Sequence, residues 1–446
     1  MSTAALPNFP YSDLPPLQPS FSRTPSYTAE PRTHEQRIAL NARLLPRPTG
    51  TFVKSSKNGD VTLRLTAQKD NIELPVYGCG SLVEGIVELA KTDNVSTVEV
   101  KIEGRLQMEE VAEGGTVDLA VCLESALLWI KDPNNSVCPS TLRFTISLPT
   151  TFDYEGQTYP LPPTHSVKLK GLPGFVASID YSISAIVNKP NSVPNIVPLV
   201  KSKKLGIHIG ATTVSTPFIY YPRTRPAAPL PSPLIRAQGG FAFAPGWKIR
   251  TSVIKALSKS NVQDITVRFY VPASTIFCST QSIPFHITFE SNAQTLVAFL
   301  PFGPTTTTKS SGRPPVTRVQ LMRQSTVDVR NEVVLGTKTD IFRVDPIGEG
   351  SFRHAGDGPT WTSFSGEIAI QTPKVMGFAL AGFSVRDVIL LTMTPPNVNK
   401  SPFVNLRETV PVRLTTDPFS EDGRGIAAHT PPEPVSSPPS IGSNDG

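Results

Sequence analysis

The chain has 446 residues, of which 46 are proline. Charged residues make up 17% of the chain, and its formal net charge is +6. Proline cannot donate to a backbone ladder, so this composition disfavours long helices and favours strand edges, turns and linkers. The basic excess is small and comes without a zinc-finger, basic-zipper or RNA-binding sheet motif, which excludes the common classes of nucleic-acid-binding protein. We therefore expect an all-β protein of about two or three domains that binds no nucleic acid.

Residues 1–58 are dominated by proline, serine, threonine and arginine. A segment of this composition cannot bury enough apolar surface to offset the entropy lost on ordering, so it predicts a disordered N-terminal arm. Within the arm, residues 34–45 are the only stretch that favours a short helix.

Residues 59–215 carry the period of two that is typical of half-buried strands. Val61, Leu63 and Leu65 alternate with polar residues, and further strands are predicted over residues 95–106, 119–130, 142–148, 175–187 and 201–209. Residues 150–174 form a long excursion rich in proline and glycine. Short strands separated by turns predict that residues 59–215 form a first antiparallel sandwich.

Residues 216–245 are rich in proline and predict a linker, after which a second series of strands begins. These strands are predicted over residues 247–255, 265–271, 283–289, 316–329, 332–339, 366–370, 383–392 and 408–414. Residues 246–418 therefore predict a second β-sandwich. Residues 419–446 consist mainly of serine, proline, glycine and acidic residues and predict a disordered tail.

The cysteines and histidines do not form the spacings of a metal or catalytic site. Cys79, Cys122, Cys138 and Cys278 lack CxxC spacing and neighbouring histidines, and the six histidines are scattered. No GxSxG, P-loop, HExxH or strand-associated GxGxxG motif is present. We therefore expect no metal, no cofactor and no catalytic residue. A hydrolytic β-sandwich remains an alternative, but it requires a cleft with paired carboxylates that the sequence does not reveal.

The sequence lacks an apolar stretch long enough for a spanning helix, which needs roughly 18 residues, and it shows no secretory signal. These features predict a cytoplasmic protein with reduced thiols.

Four groups of motifs, taken together and in order, resemble the arrestin family, in particular its fungal α-arrestin branch. They are the segment Tyr77-Gly78-Cys79-Gly80 through Gly85, the run Leu161-Pro162-Pro163-Thr164-His165 with residues 175–187, the run Tyr221-Pro222-Arg223-Thr224-Arg225-Pro226, and residues 383–392 with residues 409–412. The resemblance spans roughly residues 60–418. It implies two tandem immunoglobulin-like antiparallel β-sandwiches, with residues 77–85 as the opening hairpin of the first.

The resemblance also implies a non-enzymatic adaptor that binds the cytoplasmic tails of membrane transporters or receptors and is recruited to the plasma membrane or endosomes. Many fungal members hold a HECT-type ubiquitin ligase through a PPxY or LPxY motif, which lies in an aromatic groove of a WW domain. This sequence contains no PPxY. Leu74-Pro75-Val76-Tyr77 spells LPxY but lies in a predicted strand, so the candidate ligase-binding residues are Pro25 and Tyr27 in the N-terminal arm.

Five lysines are candidates for contact with phosphate groups or acidic lipid headgroups: Lys168, Lys170, Lys201, Lys203 and Lys204. The alternative interpretation is an ordinary solvated strand face. Arg223 and Arg225 are likewise candidates for phosphate contact, and the alternatives are that they pair between the domains or stay solvated. At the level of function, the alternative to a ligase adaptor is a signalling or sorting scaffold of the same fold that binds no ligase.

Overall fold

The computed structural model describes residues 35–37, 48–111, 115–189, 211–257, 260–306, 315–329, 341–371, 373 and 375–421. In this part of the chain the protein is almost entirely β-structure, which confirms the fold class expected from the sequence. Pro25, Tyr27, Lys201, Lys203 and Lys204 lie outside the described residues, as do the predicted strands over residues 201–209 and 332–339.

The first half of the chain and the linker contain fourteen of the described strands. They are β1 (Glu35–Arg37), β2 (Gly50–Ser55), β3 (Val61–Gln68), β4 (Val76–Tyr77), β5 (Leu82–Leu89), β6 (Thr97–Glu110), β7 (Thr116–Ile130), β8 (Thr141–Ser147), β9 (Thr151–Tyr154), β10 (Gln157–Pro160), β11 (His165–Leu169), β12 (Phe175–Asn188), β13 (Ala211–Tyr220) and β14 (Thr224–Pro226).

The second half contains twelve more strands and one short α-helix among the described residues. They are β15 (Arg236–Ala237), β16 (Gly240–Phe241), β17 (Trp247–Ile254), β18 (Ile265–Pro272), β19 (Ile276–Cys278), β20 (Ile283–Glu290), α1 (Ala293–Phe299), β21 (Thr317–Val327), β22 (Ile341–Gly358), β23 (Trp361–Ile370), β24 (Phe378–Leu380), β25 (Phe383–Met393) and β26 (Leu406–Thr415). Single 3₁₀ turns lie at Leu300–Phe302 and Val398–Lys400.

Two facing sheets form the first sandwich. One has the strand order β2-β3-β5-β8, and the other has the order β4-β13-β12-β6-β7, with β11 also paired to β12. The alternation that predicted β12 is confirmed, since Phe175, Ile179, Ile183 and the other residues of the same parity are buried between the sheets. Burying one full face of each sheet is what stabilises a sandwich of this kind.

The second sandwich is one ten-stranded sheet that folds back on itself, with the order β17-β18-β20-β23-β22-β21-β25-β26-β19 and with β24 also paired to β25. Strand β22 belongs to both layers: its first half pairs with β21 and its second half pairs with β23. Register shifts beside residues 321 and 354 accompany the change of layer, as β-bulges bend a strand. Phenylalanines dominate the enclosed core, including Phe269, Phe285 and Phe289.

The opening hairpin expected over residues 77–85 does not form, and that prediction was wrong. Val76 and Tyr77 pair in parallel with Ile219 and Tyr220 of β13, whereas β5 pairs with β3 and β8 in the other sheet. The glycine-rich turn, in which Gly80 has a φ of +64°, therefore carries the chain from one sheet to the other. Alternation identifies which side chains are buried, but it does not identify the partner strand.

Two segments of the predicted N-terminal arm are strands. Residues 50–55 form β2 at the edge of the first sandwich, and residues 35–37 form β1, which pairs with β14 of the linker. The helix expected over residues 34–45 is therefore wrong for the three residues of it that are described. Neither strand has a clear signal in the sequence: β1 is only three residues long, and Gly50, Lys54 and their neighbours form an outer strand that is mostly exposed and lacks clear alternation.

The linker region is folded against the second sandwich. Its β15–β16 hairpin lies over the outer face of β18 and β20, where Leu234, Trp247 and Tyr270 form a small separate apolar cluster. The indole Nε1 of Trp247 donates to the carbonyl of Ser232 at 2.9 Å. The backbone N–H of Leu234 donates to Nε2 of His286 at 3.3 Å. The segment is thus attached by both apolar and polar contacts.

A buried tyrosine joins the irregular segment after β10 to the core of the first sandwich. The hydroxyl of Tyr181 donates to the carbonyl of Pro162 at 2.6 Å, and the Tyr181 ring packs against Phe218 and Tyr220. Burial raises the pKa of this phenol well above its ordinary value, so the hydroxyl stays protonated as the donor.

Substituting Tyr181→Phe should lower the free energy of unfolding by about 1–3 kcal/mol, because it leaves the buried Pro162 carbonyl without its donor. Tyr159→Phe is the matched control, since the Tyr159 hydroxyl bonds to Gln157 at an exposed position and its loss should cost roughly 0.5 kcal/mol or less. Urea unfolding followed by tryptophan fluorescence measures both variants. An equal loss of unfolding free energy in the two variants would show that the bond to Pro162 stabilises the fold no more than the exposed bond of Tyr159 does.

Candidate functional site

The junction between the two sandwiches contains several buried polar contacts. Strand β11 of the first sandwich faces β24 and β25 of the second, and the His165 ring lies between Phe378 and Phe383, with ring centroids 5.7 and 6.0 Å away. Burial, with a contribution from the Arg323 charge, lowers the pKa of His165 to about 4. The imidazole is therefore neutral at pH 7 and packs as an aromatic ring.

A buried ion pair lies beneath these rings. Nε and Nη2 of Arg323 on β21 donate to the two carboxylate oxygens of Asp387 on β25, at 2.8 and 2.9 Å. Nη1 of Arg323 also donates to the carbonyl of Val375, at 2.8 Å. This third bond holds the irregular segment before β24 against the junction, because a guanidinium has donors on both of its edges.

A second buried pair connects the linker to the end of the last strand. Nε of Arg223 donates to Oδ2 of Asp417 at 2.9 Å, and Nη2 contacts Oδ1 of the same carboxylate. Thr224 reinforces the contact, because its N–H donates to Oγ1 of Thr416 and its carbonyl accepts from the Asp417 N–H. Of the interpretations given for Arg223, the structure thus supports pairing, here between the linker and the end of the second sandwich.

Further bonds cross the junction. The carboxylate of Glu110, at the end of β6, accepts from the backbone N–H of Val329 at 2.8 Å. Nη1 of Arg343 on β22 donates to the carbonyl of Lys168 at 2.8 Å. These bonds fix the β6 and β11 ends of the first sandwich to the second.

A crevice of about 80 Å³ opens between the linker and the two sandwiches. Its walls include Leu161, Pro162, Tyr221, Arg223, Phe378 and Arg413. Burial, together with the Asp417 charge, raises the pKa of Tyr221 to about 12, so the phenol is neutral. The space is suited to a single inserted side chain or a few waters rather than to a cofactor-sized ligand.

The LPxY segment is part of the folded structure. Backbone bonds join the Pro75 carbonyl to the Ile219 N–H and the Tyr77 carbonyl to the Tyr221 N–H, both at 2.8 Å. The Tyr77 ring is buried edge-on against Phe218, with centroids 5.2 Å apart, and burial raises its pKa. Leu74–Tyr77 therefore has neither the extended free backbone nor the exposed tyrosine that a WW domain binds, which confirms its structural interpretation.

Two of the five candidate lysines can be placed. Lys168 lies on β11 and Lys170 directly follows that strand, and both side chains are exposed. Neither lysine has an ion pair among the described residues. Since Lys201, Lys203 and Lys204 lie outside the described residues, a common role of the five lysines stays a prediction.

The described part of the chain contains no group of three or more histidine, cysteine, aspartate or glutamate side chains that could hold a metal ion. All four cysteines are free thiols. Burial and the Glu124 charge raise the pKa of Cys122 to about 12, and burial also raises that of Cys138, so both remain protonated at pH 7. None of the helices described here has the length and apolar character needed to cross a membrane.

Sequence reasoning missed the Arg323–Asp387 pair, although a signal for it was present. Asp387 has the same parity as the buried Val385 and Ile389 along β25, and Arg323 has the same parity as buried residues of β21. Two opposite charges at core positions of two strands indicate a buried ion pair. Because the two residues are 64 positions apart in the sequence, the pairing of their strands could not be predicted from it.

The sequence of this chain matches no model of a known protein family. Comparison with curated proteins gives no match either.

Removing one partner of the Arg223–Asp417 pair should destabilise the protein by about 3–5 kcal/mol, because the other charge is left buried and uncompensated. Arg223→Met and Asp417→Asn test this, and the double variant Arg223→Met/Asp417→Leu should recover part of the loss. The exposed pair Arg318–Glu349, with bonds of 3.0 and 2.9 Å, is the control. Arg318→Met should cost about 1 kcal/mol or less in chemical unfolding, and a similar cost at Arg223 would contradict the buried-pair account.

Acid should destabilise the fold through His165 and His286, because burial lowers the pKa of each to about 4. Since an unfolded histidine has a pKa near 6.5, the unfolded chain binds the proton first, and stability is lost as the pH falls from about 6.5 towards 4. Each site should account for on the order of 1–2 kcal/mol between pH 7 and pH 5.

The double variant His165→Gln/His286→Gln should show a flatter dependence of unfolding free energy on pH over this range. His354→Gln is the control, because His354 is an exposed residue paired with Asp357. If the double variant kept the wild-type dependence of unfolding free energy on pH, neither histidine would contribute to the loss of stability in acid.

Proposed function

We propose that this chain is a non-catalytic adaptor of the arrestin type, which binds cytoplasmic tails of membrane transporters or receptors and links them to ubiquitin-ligase and endocytic machinery. The observation that carries the proposal is the location of the four groups of motifs on which the resemblance rests. Cys79, Pro162 and Arg223 all line the crevice at the junction. Residues of the fourth group, including Phe383, pack into the same junction.

The architecture also supports an adaptor. Phe378, Leu380 and Phe383 from the second sandwich are buried in the core of the first, so the two sandwiches present their outer faces and sheet edges in a fixed arrangement. A rigid platform of this kind suits recognition of extended segments, since little conformational entropy is lost from the platform on binding.

The ligase link depends on residues 25–27, because the LPxY segment is buried. If Pro25 and Tyr27 bind a WW domain, the full-length chain should retain a WW-domain HECT ligase in a pull-down, and Tyr27→Ala should weaken retention by about tenfold or more. Tyr77→Phe is the matched control. It keeps the buried ring and removes a hydroxyl that has no partner among the described residues, so it should bind as the wild type does.

Absence of ligase binding by the wild-type chain would remove the ligase link. It would favour the second candidate function, a signalling or sorting scaffold of the same fold without a ligase. The lack of a PPxY motif and the burial of Leu74–Tyr77 are the observations that favour this alternative. Proximity labelling that recovers coat or sorting proteins but no ligase would decide for it.

A further inference from the structure

Strand β7 is a long sheet edge. It extends over Thr116–Ile130 and pairs with β6 on one side, and no other strand of the described chain pairs with it. In an antiparallel pair, roughly every second residue directs its N–H and C=O away from the partner strand. The outer edge of β7 therefore presents a row of backbone donors and acceptors that can accept another strand.

Two bulges isolate a regular segment within this edge. The register with β6 shifts once beside Cys122 and again beside Trp129. Between the bulges, residues 122–127 pair one to one with residues 99–104. A strand that adds here finds a fixed register over six residues, because the bulges on either side interrupt regular pairing.

Apolar side chains are exposed along the same segment. Leu123 and Leu127 are 60% and 59% exposed, and they lie on one face with Ser125 between them. Ile130 is 51% exposed at the end of the strand. Soluble proteins usually protect a free edge with charges or proline at such positions, so two leucines on this edge favour a surface that is covered by a partner.

The charge around the segment is negative. Lys101 and Arg105 on β6 are paired with Glu103 and Asp118. Glu99, which pairs in register with Leu127, and Glu124 have no ion pair among the described residues. Of these two carboxylates, Glu99 shares the face of the exposed leucines. Glu124 alternates with Leu123 and so points to the opposite face of β7, where it complements lysine or arginine.

We propose that the outer edge of β7 binds an extended peptide with apolar side chains at alternate positions and basic residues between them, which adds to the sheet as an antiparallel or parallel strand. Backbone bonds supply affinity, the leucines supply apolar contact on one face, and Glu124 selects for positive charge on the other. The source of the peptide rests on the proposed function: cytoplasmic segments next to membrane spans carry an excess of lysine and arginine. The docking edge itself does not depend on any ligase.

A fluorescent nine-residue peptide that alternates lysine with leucine or valine is the probe, titrated against the full-length chain in fluorescence anisotropy. Leu127→Lys should weaken binding by about tenfold or more through lost apolar burial and added like charge. Glu124→Lys should weaken it by about threefold or more and reduce its dependence on salt. Leu172→Lys is the matched control, since Leu172 is 79% exposed on the turn between β11 and β12 and should bind within about twofold of wild type.

Backbone pairing has its own test. Two versions of the probe carry N-methyl groups on alternate residues, one on the odd positions and one on the even positions. One version should bind as the parent does and the other should lose binding, because only one set of amides faces β7. Equal binding of both versions, or wild-type binding by Leu127→Lys, would overturn the proposal. A failed probe together with normal ligase retention would refute this edge site and leave the adaptor function intact.

Discussion

Phe378, Leu380 and Phe383 belong to strands of the second sandwich but are buried in the core of the first. Exposing apolar side chains of this size costs about 1.5–3 kcal/mol each, so separating the sandwiches would carry a free-energy cost comparable to the stability of a whole domain. The remaining features of the junction follow from this shared core. Because apolar contacts already hold the two units together, the polar groups at their boundary are removed from water and have to find partners.

The buried charges at the junction make its geometry specific. An apolar contact alone tolerates sliding, whereas a guanidinium bonded to both oxygens of a carboxylate fixes direction and distance. Arg323 and Asp387 fix two strands of the second sandwich, and the third bond of Arg323 positions the segment that leads into β24. Arg223 and Asp417 do the same for the linker and the end of β26. Arg223 and Val375, each held by one of these pairs, both line the crevice.

The sequence predicted elements where one face of a strand is strictly apolar, as in β12, which begins at the predicted residue and ends one residue beyond the prediction. It failed where neighbouring strands decide the outcome. The 18 residues of β22 were missed because Pro346 and several glycines interrupt the pattern, and the strand is stabilised by partners on both sides. Helix α1 was missed because seven residues are too few for a period to emerge. The Arg323–Asp387 pair was missed because strand pairing over long sequence separations is not encoded locally.

The proline-rich segment between the sandwiches has a consequence for how this protein can be altered. Leu234 and Phe241 pack on Trp247 and His286. The segment therefore covers part of the outer face of the second sandwich and is not a free linker. Two changes would expose this aromatic surface to solvent and favour self-association. One is to replace the segment with a flexible spacer of equal length, and the other is to express the second sandwich alone from residue 246. The length and composition of this segment are therefore constrained by packing, as those of a core segment are.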